Sequence, residues 1–277
     1  MKKNERAAAI VRTIVVSLIA VLFVVPLVWM VLSSLKTAPE VFARPFHWLP
    51  ARVQWQNYAT VWMNEEASML RAFANTLYIA LFSIIGQMFI SSLAAYSFAK
   101  INFKGKQVVF MLFLSSMMVP SQLTIIPRFM LFKTIGLYNN LWAIILPAFF
   151  GATSIFMLRQ FYMGLPNDLI EAAKIDGAGH LRIFLRIMLP LTKAALMSLI
   201  ILTFISSWNE YMAPLIFLVK KELYTVSQNI QWYMLDEFKE HNLTMDAATS
   251  AIVPVVILFI VGQKYFVEGI ATSGVKG

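Results

Sequence analysis

Six apolar stretches, at about 13–32, 73–99, 107–130, 140–160, 193–216 and 248–267, decide what this chain can become. Each runs to about twenty residues or more, enough for a helix rising 1.5 Å per residue to cross the roughly 30 Å hydrocarbon core of a bilayer. Within that core every backbone N–H and C=O must be satisfied inside the segment. The prediction is therefore an all-α, polytopic membrane protein with six transmembrane helices in one domain, 1–277. At 59% hydrophobic and 13% charged residues, the composition excludes a water-soluble globule of this length.

Charge orients the spans. With both termini inside, the inner segments hold 14 of the 23 Lys and Arg but only Glu5, Asp168, Glu171, Asp176 and Glu268 among the acids. The whole net charge of +9 then lies on the cytoplasmic side. That asymmetry accounts for the basic residues without nucleic acid. The first run is too long for a signal-peptide core, and no small-x-small cleavage site follows before Lys36, so it reads as a membrane helix. The outer segment 33–72, with Trp48, Trp55 and Trp62, suits the membrane–water interface.

Between the fourth and fifth spans lies a polar loop, 161–192, containing EAAKIDGAGHLRIFLRIMLP from Glu171 to Pro190. It reads as two short helices meeting at Gly177. Asn167 or Asp168 is placed to cap the first, with Asp168 and Glu171 spaced as in a capping box. Gly177 is placed to end it, since glycine takes the left-handed conformation at little steric cost. Beyond it Leu181, Phe184, Leu185 and Met188 share one face and Arg182 and Arg186 another, until Pro190 breaks the run. A helix from Asp168 to Asp176 is too short to stand alone, so something must pack on it. Ala172 and Ala173 offer a low-relief face for a docking partner; the alternative is an ordinary solvated loop.

The order Glu171-Ala172-Ala173, three residues, Gly177, nine residues, Ile187, one residue, Leu189-Pro190 resembles the EAA motif of ABC-importer permeases. These are membrane subunits of binding-protein-dependent uptake systems. The resemblance implies the type I importer permease fold, with the loop as a coupling helix seated in a cytoplasmic ATPase. Glu171, Ala172, Ala173, Asp176 and Gly177 would be the docking residues. The stretch SWNEYMAPL, Ser207 to Leu215, and the tail GIATSGVKG, Gly269 to Gly277, resemble segments of the carbohydrate, maltose-type branch. In that branch the last residues, here Gly274, Val275, Lys276 and Gly277, contact the ATPase dimer. Ser273 departs from the small residue usual at its position.

The third span carries Pro120-Ser121-Gln122 and then Pro127, which remove backbone donors at membrane depth. Broken helices are tolerated there where the freed backbone faces protein or a water-lined cavity. Ser115, Ser116 and Gln122, with Gln87 and Ser91 of the second span, are candidate pathway residues; the alternative is interhelical hydrogen bonding with no solute contact. Asn209 and Glu210 fall near the outer end of the fifth span. Family analogy has them shape the pathway, whereas the bland reading is a snorkelling Glu210 with Trp208 as interface anchor. In the outer loop 220–247, Gln231, Trp232 and Tyr233 are the residue types a sugar-handling surface uses. The corresponding loop of maltose-type permeases reaches into the external binding protein.

No Walker A loop is present: Gly105-Lys106 is followed by Gln107, and Lys100 stands where the first glycine belongs. The chain is expected to bind no cofactor, leaving ATP and Mg to a partner ATPase. It contains no cysteine, and His47, His180 and His241 fall on both sides of the membrane, so neither a metal site nor a catalytic triad is expected. The expected function is a permease of an ATP-driven sugar importer in a bacterial or archaeal cytoplasmic membrane. Its partners would be a second permease, two ATP-binding subunits and an external solute-binding protein. A self-sufficient secondary transporter or channel is the alternative, which would need a charged coupling-ion site at mid-membrane. A membrane enzyme is disfavoured by the scattered histidines and the solitary Glu210.

Overall fold

The computed structural model describes residues 2–235 and 240–274, and every regular element among them is helical. In chain order these are α1 (Lys2–Ser34), α2 (Ala38–Val41), α3 (Gln56–Met63), α4 (Met69–Lys100), α5 (Lys106–Ser115), α6 (Ser121–Thr134), α7 (Trp142–Ala148), α8 (Ala152–Gly164) and α9 (Asp168–Ile175). There follow α10 (His180–Ile183), a π-turn at Phe184–Met188, α11 (Leu189–Leu191), α12 (Lys193–Asn209), α13 (Met212–Phe217), α14 (Val226–Tyr233) and α15 (His241–Gly274).

Four of the six predicted spans appear as single helices, with different ends, and the third and fifth as bent pairs. Ala8–Ser34, Met69–Lys100, Trp142–Gly164 and His241–Gln263 are each long and apolar enough to cross a membrane. Over residues 13–28 α1 is apolar and exposed on all sides, as a helix facing lipid must be, and its end at Ser33 and Ser34 is buried. The third span is broken as expected: Lys106–Met118 and Ser121–Thr134 meet at 97°. The break sits at Pro120, while Pro127 is accommodated inside α6. The fifth span does not run unbroken to residue 216. α12 stops at Asn209, Glu210 is extended (φ −66, ψ 124), and α13 starts afresh at Met212.

The chain divides into two compact units, one of Met1–Leu70 with Asn229–Val253, the other of Arg71–Gln228 with Pro254–Gly277. In the first, Asn57 donates to the carbonyls of Ser34 and Lys36, and the Glu40 carboxylate accepts from the Thr37 amide at 2.9 Å. That backbone hydrogen bond holds the Glu40 carboxyl below its ordinary value. In the second, one cluster joins α4, α8, α9, α10 and α12, and another joins α4, α6, α7 and α13.

Candidate functional site

The Glu171–Pro190 elbow is built on the first of those clusters. α9 has only eight residues, and it stands because Ile170 and Ala173 are buried beside Tyr96 of α4, Leu158 and Tyr162 of α8, and Ile183, Phe184 and Met188 beyond the bend. Each large side chain buried there contributes roughly 1.5–3 kcal/mol, enough to hold a helix that is marginal alone. Gly177 ends it with φ +76. The Gly177 amide reaches the Lys174 carbonyl at 3.0 Å and the Ala178 amide the Ala173 carbonyl at 2.9 Å, the paired closures of a Schellman cap.

Several expectations for this loop need correction. No side chain caps α9, since Asn167 is itself helical (φ −73, ψ −25) and neither it nor Asp168 makes the cap bond. The Asn167 side-chain oxygen instead accepts from Lys100 Nζ at 2.7 Å. Asp168 and Glu171 still complement the helix dipole in the first turn. Ala173 faces inward, because a helix this short needs Ile170 and Ala173, three apart, for its buried face. Beyond the bend Phe184 and Met188 are buried with Ile183, but Leu181 and Leu185 are exposed. Pro190 removes the donor that the Arg186 carbonyl would use, and just ahead of it the Leu189 amide reaches back to Phe184 in a π-turn that shifts the register. Pro190 itself stays helical, and the bend falls at Thr192, where His180–Leu191 and Lys193–Asn209 meet at 77°.

What remains outside is a continuous face: Glu171, Ala172, Ile175, Asp176 and Gly177, with Ile175 86% exposed. Its back is tied to the second span. Lys100 Nζ also donates to the Leu165 carbonyl at 2.7 Å, and Tyr96 Oη meets His180 Nδ1 at 3.2 Å. Sequence reasoning read Asn167 only as a helix cap and gave Lys100 and His180 no part in the elbow; a basic residue closing an apolar span was the available signal. The arrangement is an exposed face on a fixed root.

Pathway candidates separate into two groups. Gln122 and Glu210 line a cavity of ≈ 430 Å³ with Ser83, Arg128, Ser206 and Ser207. Glu210 is not snorkelling: its carboxylate accepts from the Ala213 amide at 3.0 Å and so caps α13. Arg128 lies over the Phe217 ring at 5.0 Å, feels the Glu210 charge, and leaves Nε without a partner among the described residues. Sequence reasoning passed over Arg128, although a charge inside an apolar span is itself a functional signal. Gln87 lies elsewhere, donating to Ser154 Oγ at 2.9 Å and accepting from Thr203, so it links α4, α8 and α12. It also borders a second cavity of ≈ 440 Å³. Ser91 is fully buried. Ser115, Ser116 and Asn209 bond back to the carbonyls of Leu112, Phe113 and Ile205, three or four residues earlier. Trp208 is no interface anchor; it is 2% exposed, stacked on Phe204 at 5.4 Å and edge-on to Phe73 at 5.3 Å.

Of the outer-loop candidates, Gln231 is exposed and Trp232 is half-buried against Tyr233. Tyr233 is buried, donating to the carbonyls of Val61 and Ala67, and burial holds its hydroxyl above the ordinary phenol range. It is a core residue of its unit, because its aromatic ring fills space that the short α14 must cover. At the tail, Gly274 closes α15, and Val275, Lys276 and Gly277 lie outside the described residues. Among the described residues no three His, Asp or Glu converge on a metal-sized site.

The fold matches a solved bacterial ABC transporter involved in import of the acidic polysaccharide alginate. The TM-score is 0.84 at 23% identity, covering 95% of this chain and 98% of that one. The chain is 33% identical to the arabinooligosaccharides transport system permease protein AraQ of Bacillus subtilis (strain 168), covering 96% of this chain and 95% of the relative. It is 29% identical to the sn-glycerol-3-phosphate transport system permease protein UgpE of Pectobacterium atrosepticum, with 94% of each chain covered. The family model for the inner membrane component of binding-protein-dependent transport systems matches residues 87–272, spanning both the elbow and the cavity. The chain belongs to that family: it is a permease subunit of a binding-protein-dependent transport system.

Proposed function

We propose that this permease imports a carbohydrate, most simply an oligosaccharide, as one half of a heterodimeric pathway driven by two ATP-binding subunits. The observation that carries the proposal is the elbow, with Glu171, Ala172, Ile175 and Asp176 outward and its root fixed to α4 through Lys100–Asn167 and Tyr96–His180. An ATPase that grips the exposed face moves the root, and with it the second span. Switching a two-state pathway from 1:99 to 99:1 takes about 5.5 kcal/mol of differential binding, supplied jointly by ATP at the motor and by the loaded external protein.

The substrate class rests on chemistry and kinship together. Serine hydroxyls, an amide, an arginine and a glutamate around one cavity suit a solute covered in hydroxyls. Relatives carry names that specify arabinooligosaccharides, diacetylchitobiose and glycerol 3-phosphate. The elbow and both termini are assigned to the cytoplasm by the basic residues flanking the spans. ATP and Mg belong to the partner subunits, since the sequence has no phosphate-cradling loop. Gln231 and Trp232 are assigned to the external protein's docking surface.

The test is reconstitution with the neighbouring permease, ATPase and binding protein in liposomes. Sugar uptake is expected only with ATP and all partners present. Uptake by the permeases alone would favour a self-sufficient transporter or channel.

A further inference from the structure

Three basic side chains from three helices meet at the turn between α4 and α5, all within the second compact unit. Arg159 of α8 donates from Nε to the Phe98 carbonyl near the end of α4 at 3.3 Å, and its guanidinium lies over the Phe110 ring of α5 at 4.1 Å. Lys106, the first residue of α5, donates to the Ile101 carbonyl at 2.9 Å, one residue past Lys100. Lys106 feels the charge of Arg159, and Lys100 feels that of Lys106. Residues 101–105 are the whole connection between α4 and α5, too short to part the two lysines, and they add Lys104, which is exposed.

Among the described residues, every hydrogen bond these three cations make ends on a carbonyl or amide oxygen: Lys100 on Leu165 and Asn167, Lys106 on Ile101, Arg159 on Phe98. Such oxygens orient a cation without cancelling its charge, so the three repel one another. The excess of basic residues on one side of a membrane explains their number, not their convergence. An anion offsets the repulsion. Lys106 and Arg159 are only partly buried and each commits a single donor, leaving the others for a ligand. Position selects that ligand. Lys100 closes one apolar span and Lys106 opens the next, the depth at which lipid headgroups lie. From the cluster, Val108, Met111 and Leu112 run along one face of α5, each more than half exposed. Cations at headgroup depth beside an apolar stripe match a phosphate and its acyl chain, whereas a soluble anion has no use for the stripe.

We propose that Lys106 and Arg159, with Lys100 and Lys104 beside them, bind the phosphate headgroup of an anionic phospholipid of the cytoplasmic leaflet, whose acyl chain lies on the face of α5 bearing Val108 and Leu112. The choice of leaflet rests on the cytoplasmic assignment of the elbow, to which Lys100 is tied. The site itself does not depend on the transported sugar.

The experiment exposes the assembled transporter, in mixed detergent and lipid micelles, to phosphatidylglycerol or phosphatidylcholine carrying a photoreactive acyl chain, and maps the cross-linked peptides. Micelles present both lipids from every side, so the result is independent of which way the elbow faces. Wild type is expected to be labelled on α5 by phosphatidylglycerol about fivefold or more above phosphatidylcholine, with the preference falling as salt is added. Lys106→Gln should lower that preference about fivefold, and the exposed Lys104→Gln about twofold. The second variant keeps the test decisive if the first does not fold. Equal labelling by the two lipids in wild type, no labelling of α5, or an unchanged preference in either folded variant overturns the proposal. Inorganic phosphate competing as well as unlabelled phosphatidylglycerol would make the cluster a soluble-anion site and also overturns it.

Discussion

Lys100, the last residue of α4, donates its ammonium to the side-chain oxygen of Asn167, immediately ahead of α9, at 2.7 Å. Four residues earlier Tyr96 meets His180 on the far side of the bend. The second span thus holds the elbow at both ends, so a displacement of α9 is expected to be passed to α4 rather than absorbed in a hinge.

Lys100→Met keeps the aliphatic stem and removes the donors. Because Lys100 is partly exposed, the stability cost is expected to be only about 1 kcal/mol. Transport should suffer more: in proteoliposomes, sugar moved per ATP hydrolysed should fall while hydrolysis persists. An unchanged ratio would show that the tie carries no force.

Gly177 tests the bend itself. A Cβ there meets nothing within 4 Å, so Gly177→Ala is opposed only by the left-handed backbone, roughly 1–2 kcal/mol. Gly164→Ala, equally open and without positive φ, is the matched control. Lowered uptake and a lowered unfolding midpoint are expected for the first and not the second; equal effects would reject the role of the cap.

Gln87 and Arg128 divide packing from solute contact. Gln87→Leu breaks bonds to Ser154 and Thr203 and should cost about 1–3 kcal/mol, with the KM for uptake unchanged. Arg128→Gln should raise KM, since Arg128 lines the cavity. Reversal of the two outcomes would exchange their assignments.

The spans and the elbow were legible because both rest on local signals. Twenty apolar residues specify a membrane helix, and a glycine after a short helix specifies its end. The inward turn of Ala173 was not legible, because it depends on Tyr96 and Tyr162, far off in sequence. Nor were Leu181 and Leu185 placed correctly: helical periodicity allows either a 181/184/185/188 face or a 183/184/187/188 face to be buried, and packing against Tyr96 and Tyr162, distant in sequence, selects the second. Tyr233 has the residue type of a sugar-binding surface, yet the carbonyls of Val61 and Ala67 draw it into the core.

Tyr233 predicts a response to alkali. Burial favours its neutral form, so the folded state gives up this proton at higher pH than the unfolded state, whose ordinary value is 10.0. The associated stability is fully present below pH 10 and declines as pH rises through and beyond it. Denaturation between pH 9 and 11 should show that decline in wild type and a flatter profile in Tyr233→Phe; identical slopes would contradict it.

The most direct test of the docking claim uses the absence of cysteine from the chain. With Ile175→Cys, a membrane-impermeant maleimide should label inside-out vesicles but not sealed right-side-out ones, and adding the ATP-binding subunits should protect the thiol. Labelling from the outer face, or no protection by those subunits, would contradict a cytoplasmic handle gripped by a motor.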